Sequence, residues 1–306
     1  MIGHVFTLKQ LEALVWVADL GSFRKAAQHL NTTQPNISSR IAGLENTLGV
    51  VLMQRDAGSV RITVKGQEIL RAARNVLRHA EDLIAIADRP DLMQDRLRLG
   101  VTELIAGTWL HPYLRKLKDA YPGISVELTV DLSRNLDGAL GSHALDLAIQ
   151  TAPFGVNASG MIELGQYPYV WVADPAIAKM LRGPQTLHNL VAHNVLTHAR
   201  HTQSFLELSD HSDEIGVSKA QFVPSSSLAS CLQMAIEGMG VALVPAAMGA
   251  SAIASGQLVV LNVDWTARPL RVAARYHADK VPRFVQVAAQ MASEMAEVHR
   301  MQDHKN

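Results

Sequence analysis

One stretch constrains this chain more than any other: SFRKAAQHLNTTQPNISSRIAGLENTLG, residues 22–49. Two helix-length runs flank a short polar break, a pattern that holds two helices at an angle through a tight turn. Ser22 is placed to cap the first, with Phe23, Ala26, Ala27 and Leu30 on one face. Asn31-Thr32-Thr33 ends it and offers new N-caps, and Pro35 falls in the first turn of the second helix, where its missing N–H is harmless. Ile37, Ile41, Leu44 and Leu48 then make a narrow apolar stripe that Gly49 stops. Pro35, Asn36, Ser39 and Asn46 lie opposite the stripe, flanked by Gln34, Ser38 and Arg40. A solvated helix face in a small bundle is the competing reading, but such a face more usually carries Glu and Lys. Amide, hydroxyl and guanidinium groups at a helix N-terminus suit base edges and phosphate instead. Upstream, Leu8, Leu11, Leu14 and Val15 predict a further helix over 8–19, stopped by Gly21.

After Gly49, short apolar runs flank Asp56-Ala57-Gly58-Ser59, which predicts a hairpin wing with Arg55 and Arg61 near its tip. There the arginines either reach a phosphate backbone or are ordinary surface charges. From Thr63 to about Arg89 the pattern is one long helix, roughly 26 residues and about 40 Å. Leu70, Ala73, Leu77, Ala80, Ile84 and Ala87 form a heptad seam beside a second row, Ile69, Val76 and Leu83. Packing on the chain's own core and dimerisation both explain such a seam; dimerisation is the favoured expectation for a helix this long.

The remaining two thirds alternate strand-like and helix-like segments, which predicts α/β layers around a largely parallel sheet. LRLGV, ISVELTV, LDLAIQ, YVWVAD, NVLT, QLVVLNV and PLRVAARYH read as strands, and Val281 to Met301 as a closing helix. In such sheets ligands sit beyond the strand C-termini, at helix starts. Thr102-Glu103 and Ser225-Ser226-Ser227 open two such helices, and hydroxyl caps with free N–H groups can hold a carboxylate. Simple N-capping explains them equally well. Gln150, Thr197 and His198, at strand ends, are further cleft candidates. Glu103 is odd beside a carboxylate: it would take a hydroxyl or amine, or face solvent.

Composition excludes several classes. In 306 residues there is a single cysteine, so neither an intrachain disulfide nor a Cys-cluster zinc site can form. No apolar run reaches membrane-spanning length and the first residues make a poor secretory signal, so a cytoplasmic protein is expected. Net charge is zero, but residues 1–89 hold 11 Lys/Arg against 8 Asp/Glu and the rest 17 against 20, the polarity of a nucleic-acid module joined to an acidic one. The histidines, His188, His193, His198 and His201 among them, lack the carboxylate or thiolate that would complete a metal set. Gly238-Met239-Gly240 reads as a helix stop, and the serine triplet lacks a G-x-S-x-G context, so no catalytic residue, enzyme activity, metal or cofactor is expected. Cys231 shares a helix face with Leu228, Leu232 and Ala235 and reads as core.

The chain resembles the LysR-type transcriptional regulators. The resemblance covers the whole sequence and is sharpest over residues 6–70, carried by Leu11 to Val17, Gly21-Ser22-Phe23, Ala26-Ala27, Thr33-Gln34-Pro35, Ser38, Ile41, Leu44-Glu45 and Leu48-Gly49. Met53 stands where the family usually has Phe, and RITVKG replaces the commoner Leu-Thr-x-Ala-Gly. The resemblance implies a winged helix-turn-helix (1–65), a linker helix (66–90) and a two-lobed α/β effector domain shaped like a periplasmic binding protein (91–306, with the second lobe about 165–268). It implies a homodimer or dimer of dimers on an imperfect inverted repeat in double-stranded promoter DNA, and leaves RNA polymerase as a further partner. Gln34, Pro35, Ser38 and Arg40 fall where the family contacts DNA, with Arg24, Lys25 and Arg55 on the backbone; Thr33, Asn36, Ser39 and Arg61 adjoin them. The cleft is expected to bind a small effector, a carboxylate in the first instance. A constitutive regulator with an empty cleft, and a solute-binding protein with an accessory helical domain, are the alternatives.

Overall fold

The computed structural model describes residues 5–56, 59–87, 95–155, 158–278 and 280–303. The polar break at Asn31 to Thr33 does what the sequence expects: α1 (Leu8–Leu20), α2 (Phe23–His29) and α3 (Gln34–Leu48) are separate helices, followed by the wing β1 (Met53–Asp56) and β2 (Ser59–Ile62) and by α4 (Val64–Ile86). Each start is capped. Thr7 and Gln10 make a reciprocal capping box, the Ser22 hydroxyl accepts from Lys25 N, and that of Thr33 from Asn36 N. Leu14, Val17, Ala26, Ile37, Ile41 and Leu44 meet in one helical core. The Glu45 carboxylate of α3 accepts from the backbone N–H of Leu52 (2.7 Å) and Met53 (3.2 Å), which fixes the wing against that helix. Gly66 lies so close to the Leu52 carbonyl that a Cβ would stand 2.2 Å from it, so α4 can leave the wing only through a glycine.

The seam on α4 divides. Leu70 and Ala73 are buried in the helical core, Leu77 packs on it, and an Asp19–Arg74 ion pair ties α4 to α1. These positions are thus taken by the chain itself, which corrects the expectation that the whole seam serves dimerisation. Ala80 and Ile84 border a cavity between α4 and the C-terminal region, and Ala87 is exposed. In the neighbouring row Ile69 packs on the helical core, whereas Val76 and Leu83 are left open, 40% and 69% exposed.

The rest of the chain builds two five-stranded sheets. The order is β3 (Arg96–Val101), α5 (Glu103–Ala106), α6 (Leu110–Ala120), β4 (Ser125–Val130), α7 (Ser133–Gly141), β5 (Leu147–Thr151) and β6 (Gly160–Tyr167), then β7 (Tyr169–Ala173), α8 (Pro175–Met180), α9 (Leu187–Leu190), β8 (Val195–His198), α10 (Gln203–Glu214), β9 (Phe222–Ser225), α11 (Leu228–Ile236), β10 (Val241–Pro245), α12 (Ala246–Ala254) and β11 (Val259–Leu261), and last β12 (Leu270–Tyr276) and α13 (Arg283–Asp303). The sheets run β4-β3-β5-β12-β6 and β11-β7-β10-β8-β9. In each, one strand opposes its neighbours: β12 pairs antiparallel with β5 and β6, and β7 with β10 and β11. Both follow a passage of the chain from one sheet to the other, at Pro168 and between β11 and β12. The two passages divide the region into a first lobe around β3, β4 and β5 and a second around β8, β9 and β10.

Burial holds His29, His143 and His198 down to about 4 from the ordinary 6.5. The unfolded chain takes up protons below about 6.5 that these folded groups refuse until about 4, so stability is full above 6.5 and is lost as pH falls toward 4. Asp95, pushed up to about 6 by burial, and Glu12, also raised by burial, work in the opposite sense. Three large depressions outweigh them, so the urea midpoint is expected to be clearly lower at pH 5 than at pH 7.5. A midpoint that holds or rises would show that these rings are solvated.

Candidate nucleic-acid interface and ligand cleft

Gln34, Pro35, Asn36 and Ser39 are exposed at the start of α3, with Thr33 exposed at its cap. Ser38 and Arg40 are half-buried, and the Arg40 charge lies near enough to Glu12 on α1 to bear on that carboxyl. Asn36 is not a loose side chain: its amide nitrogen donates to the Thr32 hydroxyl at 2.8 Å, bracing the turn before α3. Arg24 and Lys25 are exposed on α2 and Arg61 on β2. The Arg55 side chain and the wing tip at 57–58 lie outside the described residues. The exposed amide and hydroxyl groups therefore sit at the positive end of a 15-residue helix, with basic side chains on the preceding helix and the wing. That is the polarity a groove-entering helix needs.

The cleft lies where the carboxyl ends of the parallel strands of both lobes face one another, a cavity of about 620 Å³. The cap and first turn of α5 contribute Thr102, Glu103 and Leu104, and the cap and start of α7 contribute Leu132 and Ser133. Phe154 comes from the segment after β5, His198 from the end of β8, and Ser226 and Ser227 from the start of α11. Of the residues expected in the cleft, Thr102, Glu103, His198, Ser226 and Ser227 thus line one cavity, brought there from two lobes. Gln150, Thr197 and Ser225 do not reach the lining. Gln150 is fully buried and its amide donates to Asp137 at 2.7 Å; Thr197 is fully buried in β8; the Ser225 hydroxyl turns back to accept from Ser227 N at 3.1 Å.

Glu103 corrects the expectation of a carboxylate-binding helix start. Its Oε1 accepts from the Ser227 hydroxyl at 2.9 Å and its Oε2 from the backbone N–H of Leu228. A carboxylate of the first lobe therefore already occupies the N-terminus of α11 in the second, where a ligand carboxylate was expected. It links two elements 124 residues apart in sequence, which no local pattern could reveal.

Behind the cleft, Asp137 accepts from Arg275 Nη1 at 2.6 Å, from Gln150 at 2.7 Å and from the backbone N–H of Gly155, and Arg275 lies 4.7 Å from the centre of the Phe154 ring. Sequence reasoning passed over this pair, although an arginine inside the apolar strand run VAARY is a signal that an acid waits in the core. Cys231 is buried, its thiol donates to the Thr197 carbonyl at 3.3 Å, and burial pushes it up to about 11, which makes it a poor nucleophile at neutral pH. No group of three or more metal-ligating side chains occurs among the described residues, and no described helix is long and apolar enough to cross a membrane.

Residues 8–67 match the family described as bacterial regulatory helix-turn-helix protein, lysR family, and residues 90–296 the LysR substrate binding domain. The chain is 27% identical to a probable hydrogen peroxide-inducible genes activator of Streptomyces viridosporus over 302 residues, 95% of each protein. It is 28% identical to the transcriptional activator TtdR of Escherichia coli over 77% of this chain and 76% of that one. Among solved structures, full-length OxyR from Pseudomonas aeruginosa superposes with a TM-score of 0.60 at 21% identity, covering 96% of this chain and 95% of that one. Full-length BenM gives 0.55 at 19% identity, over 96% and 97%.

Proposed function

This chain belongs to the LysR family of bacterial helix-turn-helix transcriptional regulators, and from that premise we propose that it binds an imperfect inverted repeat in promoter DNA as a homodimer or dimer of dimers, with a small molecule in the interlobe cleft setting its grip. The observation that carries this reading is the junction at Glu103. A carboxylate of one lobe caps a helix of the other, so whatever enters the cleft acts on the angle between the lobes. A ligand that favours one angle shifts the population of assemblies and with it the spacing of the DNA-binding heads. Each α3 enters a major groove, its Gln34 and neighbouring hydroxyl groups reading base edges while Arg24 and Lys25 hold the backbone. The exposed Val76 and Leu83 row on α4 supplies the seam for a second copy.

Selection of bound fragments from a genomic library tests this. The full chain should enrich an inverted repeat with half-sites one helical turn, or a multiple of it, apart. Recovery of no common sequence would overturn the reading.

A further inference from the structure

Where the two lobes meet, the cleft presents acceptors with sites to spare. Glu103 uses one lone-pair site on each oxygen for Ser227 and Leu228, and a carboxylate has about four. The His198 ring lies against the Ser226 backbone, and its Nε2 is buried with no hydrogen-bond partner. Burial keeps that ring neutral, at about 4, so one of its two nitrogens carries a lone pair, and in the tautomer with the proton on Nδ1 that acceptor is Nε2. Thr102, 7% exposed and in the lining, has a hydroxyl that is likewise buried and unpartnered. Buried polar atoms left in this condition are costly unless a partner arrives. Among the lining charges, Asp137 is neutralised by Arg275, which leaves Glu103 and Asp131 against Arg134, exposed on α7. The rest of the wall is apolar, with Leu104, Leu132, Phe154 and Leu270.

Resting on the reading that this cleft is the effector site, we propose that it selects a small ligand with an apolar body and a cationic, hydrogen-bond-donating head, an ammonium in the simplest case, seated on Glu103, His198 Nε2 and the Thr102 hydroxyl. A ligand carboxylate is disfavoured at this end of the cleft because Glu103 already holds the α11 N-terminus and would repel it. The ammonium takes the free lone pairs of Glu103 without breaking its hold on α11, and so tightens the link between the lobes.

Benzylamine and benzoate share a ring and differ in the sign of the head, which makes them the probes. Calorimetric titration of the full-length protein should detect benzylamine and bind it at least tenfold more tightly than benzoate. Glu103→Gln keeps an acceptor oxygen for α11 but removes the charge, so it should lose at least tenfold in benzylamine affinity while its unliganded melting temperature stays near that of the parent. Thr102→Val, which removes only the unpartnered hydroxyl, should lose severalfold. Benzoate binding equal to or tighter than benzylamine, or benzylamine affinity unmoved in Glu103→Gln, overturns the proposal. So does binding of neither probe, which would leave Glu103 as a permanent strut. Anisotropy with cognate DNA is read separately. Benzylamine binding with no change in DNA affinity would support the head-group selection and defeat the regulatory coupling instead.

Discussion

Replacing Arg275 with methionine is expected to destabilise the effector domain by about 3–5 kcal/mol, the range for breaking a buried ion pair from one side. The side chains of Arg275 and Asp137 are 5% and 10% exposed. Methionine fills most of the volume of the arginine stem but leaves the Asp137 carboxylate with two neutral donors, Gln150 and the Gly155 N–H, and no compensating charge. The carboxylate must then be protonated or hydrated, and either disturbs the floor of the cleft, because α7 and the segment carrying Phe154 are both anchored on it. The double change Arg275→Met with Asp137→Leu removes both charges and should recover much of the loss, since an uncompensated charge rather than a missing attraction is what destabilises the single variant. Urea unfolding of the three proteins is the measurement. A loss below about 1 kcal/mol for Arg275→Met would mean that water reaches the pair and that the cleft floor is softer than its packing suggests.

The N-terminal domain was open to sequence reading because its signals are local. Thr7, Ser22 and Thr33 each cap a helix within three residues of themselves, and the apolar stripe of α3 survives intact into the core as Ile37, Ile41 and Leu44. Elements decided by tertiary contact were harder. The segment after LRLGV makes two helices, α5 and α6, separated at Gly107, although its sequence reads as one helical run. β6 went unread since its burial does not alternate: Gly165 has a φ of 107° and the register with β12 shifts opposite it, between Val272 and Ala273. α10 went unread because its second half, SDHSDE, is polar and its buried face rests on only Phe205, Leu208 and two serines. In α4 one heptad pattern carried two meanings. Its periodicity was plain, yet which row faces α1 and which stays open depends on where α1 lies. The cleft repeats the lesson: the helix starts were visible, whereas Glu103 meeting Ser227 and Leu228 depends on bringing two lobes together.

The readout of DNA separates into two effects that single substitutions can tell apart. Gln34→Ala removes an exposed amide from the first residue of α3, where a side chain can meet a base edge. A good bidentate contact is worth about 1–3 kcal/mol of discrimination, and a homodimer loses it at both half-sites, so cognate affinity should fall by roughly 30-fold or more while binding to random duplex hardly changes. The slope of log affinity against log salt should stay where it was, because no phosphate contact is lost. Lys25→Ala should behave in the opposite way. It should weaken cognate and random duplex alike and flatten the salt slope by about 0.9 for each phosphate released. Both side chains are exposed and neither lies in the helical core, so both variants should keep the parent's unfolding midpoint. Fluorescence anisotropy on cognate and random duplexes at several salt concentrations gives these affinities and slopes. If Gln34→Ala lost affinity for both duplexes equally, the amide would be a backbone contact and base readout would pass to Pro35, Ser38 and Ser39. If it lost none, the exposed start of α3 would lie outside the groove, and the docking of the whole domain would have to be turned.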